Sequence, residues 1–134
     1  MKGYTTNIEN ATIENNDFRQ VLYTSRQMQL VLMTLQPSEE IGEEVHPEND
    51  QFFRIESGIG KCIIDNNDYH LTDGVAIVIP AGARHNIINT DPSEPLRMYT
   101  IYSPPHHKDG IIRLTKKEAE ANEEEFDGRT TESL

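Results

Sequence analysis

Residues 74 to 89 read GVAIVIPAGARHNIIN: a short apolar run, a Pro-Ala-Gly turn, and a second run that begins to alternate at a histidine. The first run is too short for a stable helix and rich in Val and Ile, which marks a buried strand. Pro80 cannot donate to a sheet ladder, so the strand stops there, and a new one opens after the turn. Side chains in a strand alternate between faces, so His85 shares a face with Ile87 and Asn89 and points inward with them. A strand that begins by sending an imidazole into the core is built around something besides apolar packing.

The same punctuation extends in both directions. From residue 20 to 102 the chain breaks into short apolar runs, QMQLVLMTLQP, QFFRIES, GKCIID, DYHLT, GVAIVIP, RHNIIN and LRMYTIYS, separated by Pro, Gly, Asn and Asp. Seven such strands without a long helical pattern between them predict an all-β sandwich or barrel. In DNND, residues 65 to 68, Asn66 and Asn67 are suited to the positive φ of a two-residue hairpin turn, which predicts that Cys62 and Tyr69 lie on paired strands.

A second inward-facing polar group lies upstream, in IGEEVHPENDQFFRIESG, residues 41 to 58. Arg54 and Glu56 are expected on the wet face of QFFRIES, which leaves Phe53, Ile55 and, two residues earlier, Gln51 on the buried one. Glu44 and His46 share a face just before this strand, separated from it by Pro47 to Asp50. Burying a neutral polar group without a partner costs roughly 2 to 7 kcal/mol, and a carboxylate costs more, so each of these side chains needs a partner. A cation serves all of them. Glu44, His46, Gln51 and His85 would supply two nitrogen and two oxygen ligands, a set suited to iron, manganese, zinc, nickel or cobalt in the divalent state rather than to magnesium or calcium.

The spacing of these residues resembles that of the cupins. Gly74, Pro80, Gly82, His85 and Asn89 match the second cupin motif position for position. The first motif is present with three letters changed, as Ser38, Glu44, Val45, His46, Gln51 and Gly58: a glutamate stands at the family's first histidine and a glutamine at its glutamate. The resemblance covers about residues 28 to 105 and is closest to small single-domain bacterial cupins described as phosphomannose-isomerase-like. It implies a cupin-type double-sheet, jelly-roll-like barrel with a metal near its middle. Glu44, His46 and His85 would then form a two-histidine, one-carboxylate triad, with Gln51 a fourth ligand or a hydrogen-bond donor behind the triad.

Residues 1–27 are expected to form an N-terminal arm and edge strand, 28–105 the barrel, and 106–134 a loop, a short helix and an acidic tail. Pro104 and Pro105 end the last long strand, and Thr115 with Glu118 has the form of a capping box opening the helix. Glu123, Glu124 and Glu125 read as a solvated face and RTTESL as a disordered end. His70 reads as a surface strand residue and His106 and His107 as loop residues. One of that pair is a candidate acid or base at the barrel mouth, and Tyr102, on the inward side of LRMYTIY, is a candidate cavity residue.

Composition narrows the function. Asp and Glu outnumber Lys and Arg by 23 to 12, a net charge of −11, which disfavours nucleic acid and anionic membrane surfaces as partners. The apolar runs fall far short of the roughly 20 residues of a spanning helix, and the single cysteine, Cys62, excludes an internal disulfide, so a cytoplasmic protein is expected. The sequence carries no nucleophile-base pair, phosphate loop or dinucleotide fingerprint, so chemistry has to come from the cation. Three functions remain open: an isomerase-like enzyme acting on a sugar or hydroxy acid with Glu44, His106 or Tyr102 moving the proton, a non-haem metal oxygenase, and a module that binds a small ligand without turnover. Small cupins commonly pair through edge strands, so a homodimer is expected, with N-terminal residues such as those in IENNDFRQVLYT covering a neighbour's sheet.

Overall fold

A computed structural model describes residues 1–133. In chain order the elements are α1 (Ile8–Glu14), β1 (Arg19–Thr24), β2 (Gln29–Leu35), β3 (Glu44–Val45), β4 (Asp50–Ser57), β5 (Gly60–Ile64), β6 (Asn67–Leu71), β7 (Ala76–Ile79), β8 (Arg84–Asn89), β9 (Leu96–Ser103), β10 (Ile112–Arg113) and α2 (Lys116–Ala121). The seven strands expected from the apolar runs all form. They assemble into two antiparallel sheets, β10-β1-β2-β9-β4-β7 and β3-β8-β5-β6, which enclose one core.

The period of two decides what lies inside. On β9, Leu96, Met98, Thr100 and Tyr102 are buried; on β8, His85, Ile87 and Asn89; on β4, Gln51, Phe53 and Ile55. Phe53 faces Thr100 across the ladder and Gln51 faces Tyr102, so the polar inward positions are brought together at one end of the barrel. Cys62, fully buried, pairs with Tyr69 as expected, and burial pushes its thiol up to about 11, which leaves it an inert packing group.

Three local expectations are corrected. The hairpin turn lies one residue earlier than DNND implies, with positive φ at Asp65 and Asn66 and Asn67 already paired with Ile64. The Asp65 carboxylate accepts from the Arg84 backbone N–H at 3.0 Å, which favours the earlier register. Glu56 is buried rather than wet, at the point where the pairing with β9 slips between Ile55 and Ser57 and the alternation breaks. Arg54, still exposed, reaches over to it at 2.8 Å. The end of the chain, expected to be disordered, is tied down through residue 133: Thr131 bonds to Thr24 in both directions, and Glu132 accepts from Tyr23 and from the backbone of Gly3. Leu134 lies outside the described residues.

The C-terminal helix α2 begins where the capping box places it, with Thr115 accepting from Glu118 N–H at 3.1 Å. The N-terminal helix α1 is not signalled by periodicity. It is capped by Asn7 and packs on β2, β4 and β9 of the larger sheet. The strand β1, expected at an edge, has β10 outside it. No helix among the described residues is long and apolar enough to cross a membrane.

Candidate metal centre

Two strands place the first pair of side chains. Glu44 on β3 stands opposite His85 on β8, a spacing at which side chains on one face touch. His46 follows β3 directly, and its carbonyl accepts from the backbone N–H of Gly82, so the Pro80–Gly82 turn that aims His85 also fixes His46. Donor atoms of Glu44, His46 and His85 lie within 4.8 Å of one another, a grouping that can hold a metal ion.

The hydrogen bonds around this group are incomplete in an informative way. His85 presents Nδ1 to the Ala83 carbonyl at 2.9 Å, so that nitrogen carries the proton and Nε2 keeps its lone pair. His46 Nε2 is 2.7 Å from a Glu44 carboxylate oxygen, yet it is buried and the contact lacks the angle of a hydrogen bond. Gln51, on the opposite sheet, donates to Thr100 at 3.0 Å while its Oε1 is buried without a partner. An orphaned imidazole nitrogen and an orphaned amide oxygen are costly alone. Two imidazoles, a carboxylate and an amide oxygen are also the donor set of a borderline divalent ion, so the residues present fit such an ion.

Four of the five histidines meet here. The His106 ring is 4.4 Å from that of His46 and stacks on Tyr102 at 5.2 Å, and His107 Nε2 lies 3.2 Å from the Tyr102 hydroxyl. His70 is on the exposed face of β6, as expected. The loop that delivers His106 and His107 is held by two amides whose role the sequence does not disclose. Gln29, fully buried, accepts from the backbone N–H groups of His106 and His107 and donates to the His107 carbonyl at 2.7 Å. Asn49 donates to the carbonyl of Pro104 at 2.6 Å.

The C-terminal segment then closes one side of the mouth. Residues Arg19, Glu44, His46, His106, Arg113 and Glu124 line a cleft of about 310 Å³. Glu124, expected to be merely solvated, is held by Arg113 at 3.0 Å and by Lys108 at 3.8 Å. Arg19 is a cleft residue the sequence reading missed. The available signal was parity, since Arg19 lies two residues before Val21, which is buried.

Burial sets the protonation states. It alone would raise Glu44, but the contact with His46 and the electrostatic influence of His46, His85 and Arg19 bring its carboxyl below the ordinary range. Burial lowers His85, lowers His106 to about 4, and lowers His107 well below its ordinary value. It raises the Tyr102 phenol. At neutral pH Glu44 is therefore a carboxylate, His85, His106 and His107 are neutral imidazoles and Tyr102 is an intact phenol.

A pH dependence follows. The unfolded chain binds more protons than the folded one between the folded and unfolded histidine values, so stability rises with pH in that interval. Glu44 acts in the same direction lower down, its contribution being lost as pH falls through its lowered value. Chelator-treated protein should hold a constant urea midpoint above about pH 6.5 and lose stability from there towards about 4. A midpoint unchanged across that interval would mean that these imidazoles protonate freely in the folded state.

Comparison with known proteins agrees with this architecture. The family model of the cupin domain matches residues 31–102. The chain is 44% identical over 129 residues to the uncharacterized protein YrkC of Bacillus subtilis strain 168, covering 92% of this chain and 69% of that one. It is similar to the crystal structure of BH2720 from Bacillus halodurans, with a TM-score of 0.87 and 41% identity over 90% of this chain and 96% of the other. A Klebsiella pneumoniae protein with a double-stranded β-helix domain shares the fold at 20% identity, with a TM-score of 0.65 over 85% of this chain and all of that one.

Proposed function

The chain belongs to the cupin family, and from that premise we propose that it is a divalent-metal cupin acting on a small polar molecule by isomerase-like proton transfer, in the manner of the phosphomannose-isomerase-like subgroup. The observation that carries this is the convergence of Glu44, His46 and His85 beside the orphaned His46 Nε2 and Gln51 Oε1. Glu44, His46 and His85 would hold the ion, with Gln51 as a fourth oxygen. The ion would supply Lewis-acid polarisation of a substrate carbonyl.

The remaining chemistry belongs to the chain. His106, neutral because of burial, offers an imidazole nitrogen next to His46 that can take a proton from a substrate carbon or hydroxyl and return it at the adjacent position. Tyr102 keeps its proton and is oriented by His107, so it can donate a hydrogen bond to a developing oxyanion. Glu44 can ligate or carry a proton, but one carboxylate oxygen cannot do both at once. The loop anchored by Gln29 and Asn49 screens the group from bulk water.

One observation favours a second reading. Two imidazoles and one carboxylate are the donor set of non-haem iron oxygenases. Protein purified without a histidine tag should contain close to one divalent ion per chain by elemental analysis. Retained iron would favour the oxygenase; folded protein that takes up no divalent ion on titration would sink both readings.

The proposal includes a homodimer and a cytoplasmic setting, the latter in keeping with one buried, unpaired thiol. Residues 8–24 pack on this chain's own sheet, so the pairing falls to free edges such as β7, where Val78 is 67% exposed. Light scattering at micromolar concentration should give twice the chain mass; a monomeric mass would refute the pairing.

A further inference from the structure

An arginine with no ion pair and no side-chain hydrogen bond among the described residues stands at the mouth of the cleft. Arg19 opens β1 and its side chain lines the cleft beside Glu44, His46 and His106. None of the ion pairs among the described residues includes it. Its Nε is buried without a hydrogen-bond partner, and the guanidinium carbon lies 5.3 Å from the Phe18 ring, whose face supplies no acceptor oxygen. A surface arginine completes its hydrogen bonds with water, which this nitrogen cannot do, so an acceptor is missing.

Its neighbour shows the contrast. Arg113, paired with Arg19 across the β1–β10 ladder, donates to the Asn122 carbonyl through Nε and Nη2 and to the Glu124 carboxylate at 3.0 Å. One guanidinium of the pair is satisfied by the chain itself and the other is left for a ligand. The walls limit the ligand's charge and size. Glu44, Glu123, Glu124 and Glu125 already line the cleft, so a dianion such as a phosphate monoester would be repelled, and 310 Å³ is at the small end of ligand pockets.

We infer that the cleft takes a small monoanionic hydroxy- or oxo-carboxylate, its carboxylate forked onto Arg19 and its hydroxyl or carbonyl oxygen turned towards the Glu44, His46 and His85 group. The second half of this rests on the metal reading above. The first half rests on Arg19 alone, which lies outside the stretch matched by the cupin domain. It selects acids over neutral sugars as the class of substrate.

The test is calorimetric titration of cobalt-loaded and chelator-treated protein with glycerate, with glycerol as its neutral counterpart and with inorganic phosphate. Cobalt-loaded wild type should bind glycerate at least about tenfold more tightly than glycerol or phosphate. Arg19→Gln should remove that advantage while leaving glycerol binding and cobalt stoichiometry unchanged. Arg19→Lys, which keeps the charge and the fold but loses the fork, should retain only part of it. Equal glycerate affinity in wild type and Arg19→Gln, equal affinity in wild type and Arg19→Lys, glycerate no tighter than glycerol, or phosphate tighter than glycerate would each overturn the inference. The two readings fail separately. Glycerate binding that depends on Arg19 in protein that takes up no cobalt would overturn the metal reading alone, whereas normal cobalt uptake with glycerate indifferent to Arg19 would overturn this inference alone.

Discussion

Titrating zinc or cobalt into His85→Ala should show affinity reduced by more than about 100-fold, since even groups one contact further from an ion typically contribute 10- to 100-fold. The nitrogen lost is the one whose tautomer is fixed by the Ala83 carbonyl and whose position is fixed by the Pro80–Gly82 turn, so no neighbour can swing in to replace it. Glu44→Gln should be nearly as severe, because it removes the negative charge that offsets a desolvated divalent ion and leaves a neutral donor set. Gln51→Ala should cost far less, since an amide contributes a dipole only. Gln51→Glu should tighten binding unless two nearby carboxylates raise each other's pKa. Wild-type affinity in Glu44→Gln would exclude Glu44 as a ligand, and the same result in His85→Ala with normal folding would move the site elsewhere.

The largest expected loss of stability lies away from the site, at Gly58. Its φ is +103°, and a Cβ there would stand 2.6 Å from the Pro95 carbonyl oxygen and 2.9 Å from Leu96 Cα. Both are backbone atoms and cannot rotate aside. Gly58→Ala combines a conformation that L-residues rarely adopt with a collision, so it should cost at least about 3 kcal/mol. Gly74 provides the control. Its φ is +88° but nothing lies within 4 Å of its missing Cβ, so Gly74→Ala should show the conformational part alone, about 1 kcal/mol. Urea denaturation of the two variants separates the contributions, and equal midpoints would mean that the strand junction at Pro95 gives way.

How far the sequence discloses this molecule depends on which residues obey a period. The strands do, because a half-buried strand must alternate, and that rule places Gln51, His85 and Tyr102 inward, where the structure buries them. Glu44 and His46 were legible through their spacing from the strand. The rule fails where a bulge inserts a residue, as at Glu56, and where an element is too short to show a period, as in α1 with seven residues. Arg19 obeyed the rule but was hidden by its type, since a charged side chain at the start of a strand ordinarily reads as solvent-facing. The acidic run misled for a different reason: the partners of Glu124, Lys108 and Arg113, are 16 and 11 positions away, and pairing at that distance leaves no local pattern. Gln29 and Asn49 hold the histidine loop through backbone carbonyls, contacts that no side-chain motif encodes.

Glu44 and His85 belong to one sheet and Gln51 and Tyr102 to the other, so a ligand gripped by both would rivet the two halves of the protein together. Whatever binds the folded form and not the unfolded chain adds RT ln(1 + [L]/Kd) to its resistance to heat, about 2.7 kcal/mol at a hundredfold excess over Kd. Melting temperature would thus become a chemical detector. A library of metals and small acids could be sorted by the degrees each adds, singly and in pairs, with no assay for turnover, and a pair that together adds more than the sum of its members would identify two compounds seated side by side between the sheets.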